Sequence, residues 1–167
     1  MPEGSSPRGY VIAAAVLLAD QASKYWVLEL IRLPERGGID VLAFFRLTFV
    51  ANAGVSMGLL QAGSDLARWL LTFITAGIAL AVALWLRREK HPVDIAALGL
   101  VLGGAIGNII DRVRFGHVVD FLHFFWQQHS FWVFNVADAA ITLGVMLLLG
   151  RAMTARAEPS HKESKDA

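Results

Sequence analysis

The sequence predicts an all-α membrane protein: a four-transmembrane-helix bundle with a small β-sheet and loop region on its outer face. Three observations predict it. Of the 167 residues 56% are hydrophobic, and a mean hydropathy of +0.53 lies well above that of a soluble domain. The apolar residues gather into four runs of roughly 20 residues, the length that crosses ~30 Å of hydrocarbon as helix. Between the first and second runs lies a polar, glycine-punctuated stretch, Gly37 to Leu60, too broken to span.

The spans are taken in order. The first runs from about Gly9 to Leu30, with a polar insert at Asp20, Gln21, Ser23 and Lys24. No small-residue cleavage site follows its apolar run, so it reads as a span and not as a cleavable signal peptide. Ile39 to Val50 is rich in β-branched and aromatic residues, as strands are, and supplies the expected outer sheet within an insertion at about 37–60. The second span covers about Leu66 to Leu86. A short basic link, Arg87 to Pro92, leads to the third at about Val93 to Ile110, and Pro92 suits a helix start. The aromatic-rich segment His123 to Phe134 belongs at the headgroup level. The fourth span covers about Asn135 to Met153, and 154–167 reads as a disordered tail. Short basic loops stay cytoplasmic, which places both termini inside. All of this makes one membrane domain, 1–153. Net charge is +1 and cysteine is absent, so there is no nucleic-acid footprint and no thiol chemistry.

The chemistry lies in polar phrases that a lipid-facing helix has no use for. Asp120 and Asp138 are expected to converge from the third and fourth helices on one spot at the outer rim. Two carboxylates held together cannot comfortably both ionise, and a pair sharing one proton activates water in aspartic proteases. Asn135 and Asp138 have the spacing of a capping box. A helix N-terminus favours carboxylate, so Asp138 is read as the ionised partner and Asp120 as the protonated one. Asp20 and Lys24, at i,i+4, share a helix face and read as an ion pair. Asp111 is expected to pair with a neighbouring arginine. Gly103, Gly104 and Gly107 give the third span a small-residue packing face. Asn108 and Arg112 stack at its outer end. Asn52-Ala53-Gly54 reads as a turn after the sheet. Ser23 and Ser56 are weak nucleophile candidates. His117, His123 and His129 lack a metal-ligand spacing and read as interfacial, so neither metal nor cofactor is expected.

These phrases together resemble the lipoprotein signal peptidase family (signal peptidase II). They are Asp20-Gln21-Ala22-Ser23-Lys24, Asn52-Ala53-Gly54, Gly103 through Arg112, Val118-Val119-Asp120-Phe121 and Phe134-Asn135-Val136-Ala137-Asp138. Val55-Ser56-Met57 departs from the family's usual Ala-Ala-Phe. The resemblance implies a bacterial inner-membrane aspartyl endopeptidase acting near the outer leaflet, as a monomer among membrane lipids. Its substrate would be a prolipoprotein, cut just before the diacylglyceryl-modified cysteine. Asp120 and Asp138 fall on the family's catalytic pair. Asp20, Lys24, Asn52, Gly54, Asn108, Arg112 and Asn135 fall on positions associated with substrate binding or support of the site. The competing reading from the residues alone is a small proton-coupled transporter, with Asp20, Asp111, Asp120 and Asp138 as relay groups.

Overall fold

The computed structural model describes residues 7–54, 65–127 and 129–157. Helix α1 (Pro7–Tyr25) continues as a π-helical turn, Trp26–Leu30, and a short helix α2 (Leu33–Arg36) follows. Strands β1 (Ile39–Leu42) and β2 (Phe45–Asn52) come next, then helices α3 (Asp65–Leu86) and α4 (Pro92–Phe115). Strands β3 (Val118–Trp126) and β4 (His129–Phe134) lead into helix α5 (Val136–Ala157). Four helical segments are long and apolar enough to cross a membrane: Pro7–Leu30, Asp65–Leu86, Pro92–Phe115 and Val136–Thr154.

The expected sheet is present and larger than the sequence reading made it. Its order is β1-β2-β3-β4, antiparallel throughout. The stretch read only as interfacial aromatics is its second hairpin. Consecutive rings and histidines in Leu122 to Trp132 masked the strand alternation, because in this sheet both faces carry apolar residues. Helix α4 also runs on to Phe115, beyond the expected end at Ile110, because Asp111 is buried against other elements. Gly116 then closes it in the left-handed conformation at φ 80°, where glycine carries no Cβ penalty. At the start of α4 Pro92 occupies the first turn, as the sequence predicts, and His91 caps the Val93 N–H. Residues 55–64 and 158–167, which include Val55-Ser56-Met57 and most of the expected tail, lie outside the described residues.

Helix α4 is the central post, and its glycines explain why. A Cβ on Gly103 would stand 2.5 Å from the Ala13 carbonyl of α1, and one on Gly104 would stand 2.5 Å from the Ala137 carbonyl of α5. Backbone-to-backbone approach of this kind is the usual glue between membrane helices, where burial of apolar surface gives little drive. Around these contacts Leu86, Leu98, Leu102 and Ala105 form a core, joined by partly buried Tyr10 and Ile109. A second core, Val27, Leu33, Leu47, Val119 and Phe121, seats the sheet on the bundle's end. At the opposite end Arg151 of α5 meets Asp94 of α4 at 2.8 Å.

Gly104→Val should therefore destabilise the protein by about 1–3 kcal/mol through overpacking. Gly77→Ala, where a Cβ meets nothing within 4 Å, should be neutral or stabilising by ~0.5–1 kcal/mol through helix propensity. Thermal melting in detergent compares the two.

Candidate active site

The site is assembled where α1, α4, α5 and the sheet meet, and a buried ammonium group lies beneath it. Lys24 of α1, only 2% exposed, stands between Asp20 and Asp111, both fully buried. Its Nζ lies 2.8 Å from Asp20 Oδ2 and 2.7 Å from Asp111 Oδ2, and it donates to Asn108 Oδ1 at 3.4 Å. Three acceptors meet the three donors of the ammonium. The expected Asp20–Lys24 pair is thus present. The expected arginine partner of Asp111 is not: among the described residues its ion pair is instead with Lys24, and Arg112 reaches it only as a nearby charge. Gln21, which the sequence reading left without a role, donates from Nε2 to Asp20 Oδ2 and Asp111 Oδ1, each at 3.1 Å.

Each of these carboxylates also fixes a backbone start. Asp20 Oδ1 accepts from the Ala137 N–H at 3.0 Å, holding the first turn of α5 from a different helix. Asp111 Oδ2 accepts from the Val119 N–H at 3.0 Å, holding the beginning of β3. A helix N-terminus leaves N–H groups unpaired, and burial makes an unpaired one expensive. The ion cluster therefore places the two segments that carry Asp138 and Asp120.

Asp120 comes from strand β3 and not, as the sequence reading expected, from the third helix, which has already ended at Phe115. Asp138 comes from the first turn of α5 as expected. The capping box is present: Asp138 N–H donates to Asn135 Oδ1 at 2.9 Å, and Asn135 N–H donates to Asp138 Oδ2 at 3.4 Å. The same Asn135 donates its side-chain amide to Asp120 Oδ1 at 2.6 Å, so one residue touches both acids. Asn52 donates to Asp120 Oδ2 at 2.8 Å, and Asn108 donates to Asp138 Oδ1 at 2.8 Å. Gly54, at φ 77°, turns its N–H onto Asn52 Oδ1 at 2.8 Å and so orients that amide. Arg112 interacts by charge with Asp138, Asp111 and Asp120, while its Nη1 reaches only the Asn108 carbonyl at 3.5 Å. Burial pushes the Asp120 carboxyl up to about 6, with the like charge of Asp138 adding and the amides of Asn52 and Asn135 opposing.

All nine residues singled out in the sequence for catalysis or support thus gather at one place. Ser23 does not join as a nucleophile, since its hydroxyl donates to the Asp20 carbonyl of its own helix at 2.8 Å. Ser56 lies outside the described residues. His123 is held within the sheet between Thr48 Oγ1 at 3.1 Å and Ser130 Oγ at 2.6 Å. Among the described residues no group of three or more His, Asp and Glu is arranged to hold a metal ion.

Replacing Lys24 by Met leaves two buried carboxylates without their cation and should cost about 3–5 kcal/mol. In Asp20→Asn/Lys24→Met the loss should be smaller than the sum of the two single losses. Melting temperatures of the two single variants and the double variant give that coupling.

Comparison with known proteins places this arrangement in a family. Residues 12–154 match the model of Signal peptidase (SPase) II. A lipoprotein signal peptidase of Rhizorhabdus wittichii is 53% identical over 162 residues, 96% of this chain and 94% of that protein. A lipoprotein signal peptidase of Sphingopyxis alaskensis is 46% identical over 147 residues, 87% of this chain and 84% of that protein. A solved structure described as a bacterial membrane enzyme, obtained by the in meso method at 2.3 Å, has a TM-score of 0.79 and 28% identity, covering 100% of this chain and 99% of its own. Four membrane-length helices, a capping box shared between two acids and a match over most of the chain converge: the chain belongs to the signal peptidase II family of proteases.

Proposed function

We propose that this protein is an aspartyl endopeptidase of the bacterial inner membrane that removes the signal peptide from diacylglyceryl-modified prolipoproteins. The cut falls immediately before the lipidated cysteine, and Asp120 and Asp138 are the catalytic pair. The observation that carries this reading is the double engagement of Asn135, which caps Asp138 and donates to Asp120. Two acids gripped by one residue act as one unit.

The mechanism is general acid–base. Asp138, at a helix N-terminus that favours negative charge, takes a proton from a water, and that water attacks the scissile carbonyl carbon. Asp120, whose burial favours its acid form, donates its proton to the carbonyl oxygen. The amides of Asn52 and Asn108 hold the two carboxyl groups in place, and Arg112 offers spare donors to substrate carbonyls. Collapse of the tetrahedral intermediate returns a proton to the leaving amine. Asp20 and Lys24 act through position and not through contact with substrate.

The site lies at the end of the bundle that bears the sheet, on the outer side of the membrane, and both termini are cytoplasmic. A substrate whose signal segment is itself a membrane helix reaches such a rim without leaving the bilayer. The enzyme works as a monomer, with lipids around the spans. A transporter would need acids laddered across the bilayer; here Asp20, Asp111, Asp120 and Asp138 form one cluster, whereas Asp94 is paired with Arg151 at the far end.

A gel-shift assay on diacylated prolipoprotein should show cleavage reduced by about 10²–10⁴-fold in both Asp120→Asn and Asp138→Asn, with no response to a chelator. Full cleavage by either variant sinks the assignment. Because the acid form of Asp120 is the working form, kcat/KM should fall as pH rises through about 6. A pH profile that is flat from 5 to 8 (roughly, spanning both sides of that value) contradicts the assigned proton.

A further inference from the structure

Gln21 stands in the junction beneath the dyad without a role in the mechanism. From Nε2 it donates to Asp20 Oδ2 and Asp111 Oδ1, each at 3.1 Å, and to the Gly107 carbonyl at 3.4 Å. The two carboxylates share one cation, Lys24, at 2.8 and 2.7 Å, so the group carries one negative charge in surplus. Two carboxylates held close resist ionising together, and a hydrogen bond donated to the charged form favours that form. On its other side Gln21 lines a cavity of about 30 Å³, together with Lys24, Glu29 and Arg114, and neither aspartate is in its walls. A space of this size admits a water. Gln21 therefore stands between the two acids and a polar way in, whose edge is formed by the exposed Glu29 and Arg114.

The charge of this cluster is felt at the dyad. Asn108 Oδ1 accepts from Lys24 and from Asn135 Nδ2, each at 3.4 Å, while its Nδ2 donates to Asp138 at 2.8 Å. One carboxamide thus separates cluster from dyad, and the Lys24 charge acts on Asp120 besides the burial that dominates there. We propose that Gln21 is a positioning residue for the reaction: its amide holds Asp20 and Asp111 both charged on one lysine, and their surplus negative charge keeps the proton of the dyad on Asp120. The proposal rests on Asp120 and Asp138 being the catalytic pair. Without the amide, a proton from water settles between Asp20 and Asp111. The cluster becomes neutral, and the repulsion that favours the acid form of Asp120 weakens. The charged groups that face this balance are Asp20 and Lys24 of α1, Asp111 and Arg112 of α4, Asp120 of β3 and Asp138 of α5, with Glu29 and Arg114 across the cavity. None of the others is changed by replacing Gln21, so the sign of the effect is fixed.

The test follows kcat/KM of the full-length enzyme on diacylated prolipoprotein against pH, in detergent. Gln21→Met keeps the length of the side chain and removes its donors. The falling limb of this variant should lie about one pH unit below that of the wild type, as loss of one charge a side chain away requires. Activity should then drop about tenfold at pH ~7.5 and only about twofold at pH ~5. In Asp111→Asn the limb should already be displaced, and adding Gln21→Met should move it no further. Tyr10→Phe, which deletes a bond from α1 to the Ala83 carbonyl, should lower the melting temperature and leave the limb in place. An unmoved limb in Gln21→Met, or a loss equal at every pH, overturns the proposal and makes Gln21 a packing residue. Gln21→Leu is read in the same way where the Met variant does not accumulate. A wild type without a falling limb, or cleavage that survives Asp120→Asn, instead removes the reading of the catalytic pair and is scored separately.

Discussion

The architecture depends on one buried cation. Lys24 is enclosed by Asp20, Asp111 and Asn108, and a desolvated ammonium is tolerated only where its attraction to such partners offsets several kcal/mol lost from hydration. That demand dictates more than a pair. The oxygens of Asp20 and Asp111 also take the N–H groups of Ala137 and Val119. Thus α1, α4, α5 and β3 share a single junction. The glycines of α4 let the helices approach closely enough for it to close: a Cβ at Gly107 would fall 2.5 Å from Asp20 Oδ2.

The junction gives the two acids above it different surroundings. Asp138 sits in a helical first turn and is bonded by the backbone and side chain of its neighbourhood. Asp120 sits on a strand, nearly buried, and is held by two carboxamides that are neutral. Neutral donors orient a carboxyl group without forcing it to ionise, whereas a cation would. Lys24 is committed to the pair beneath, and Arg112 stops short of an ion pair with either acid. Four carboxylates against two cations leave an excess of negative charge at this junction.

Much of this was legible in the sequence. Four apolar runs gave the spans, since length and hydropathy are nearly sufficient in a membrane. The polar phrases marked the site because polar residues within such runs are costly without a purpose, and spacing alone showed the Asp20–Lys24 pair and the Asn135–Asp138 cap. What escaped was long-range. The β3–β4 hairpin has no simple polar alternation, so it read as aromatics; with it went the strand origin of Asp120. The contacts of Gln21 with Asp111 and of Lys24 with Asp111 join residues about 90 positions apart, which local periodicity does not reach.

A last consequence of the strand origin concerns Asn52. Leu47 and Asn52 are five positions apart, so a regular strand would turn them to opposite faces. Yet Leu47 opposes Leu122 and Asn52 opposes Val118, and both partners lie on the Asp120 side of β3. The extra residue between Leu47 and Val50 reconciles the two. It lets Leu47 pack into the core beneath the sheet while Asn52, past the irregularity, is delivered diagonally to Asp120. One added residue in β2 thus serves packing and chemistry at once. It also explains why a carboxamide distant in sequence from both aspartates reaches the pair: the sheet brings Asn52 in from outside the bundle, on the side where the spanning helices have already ended.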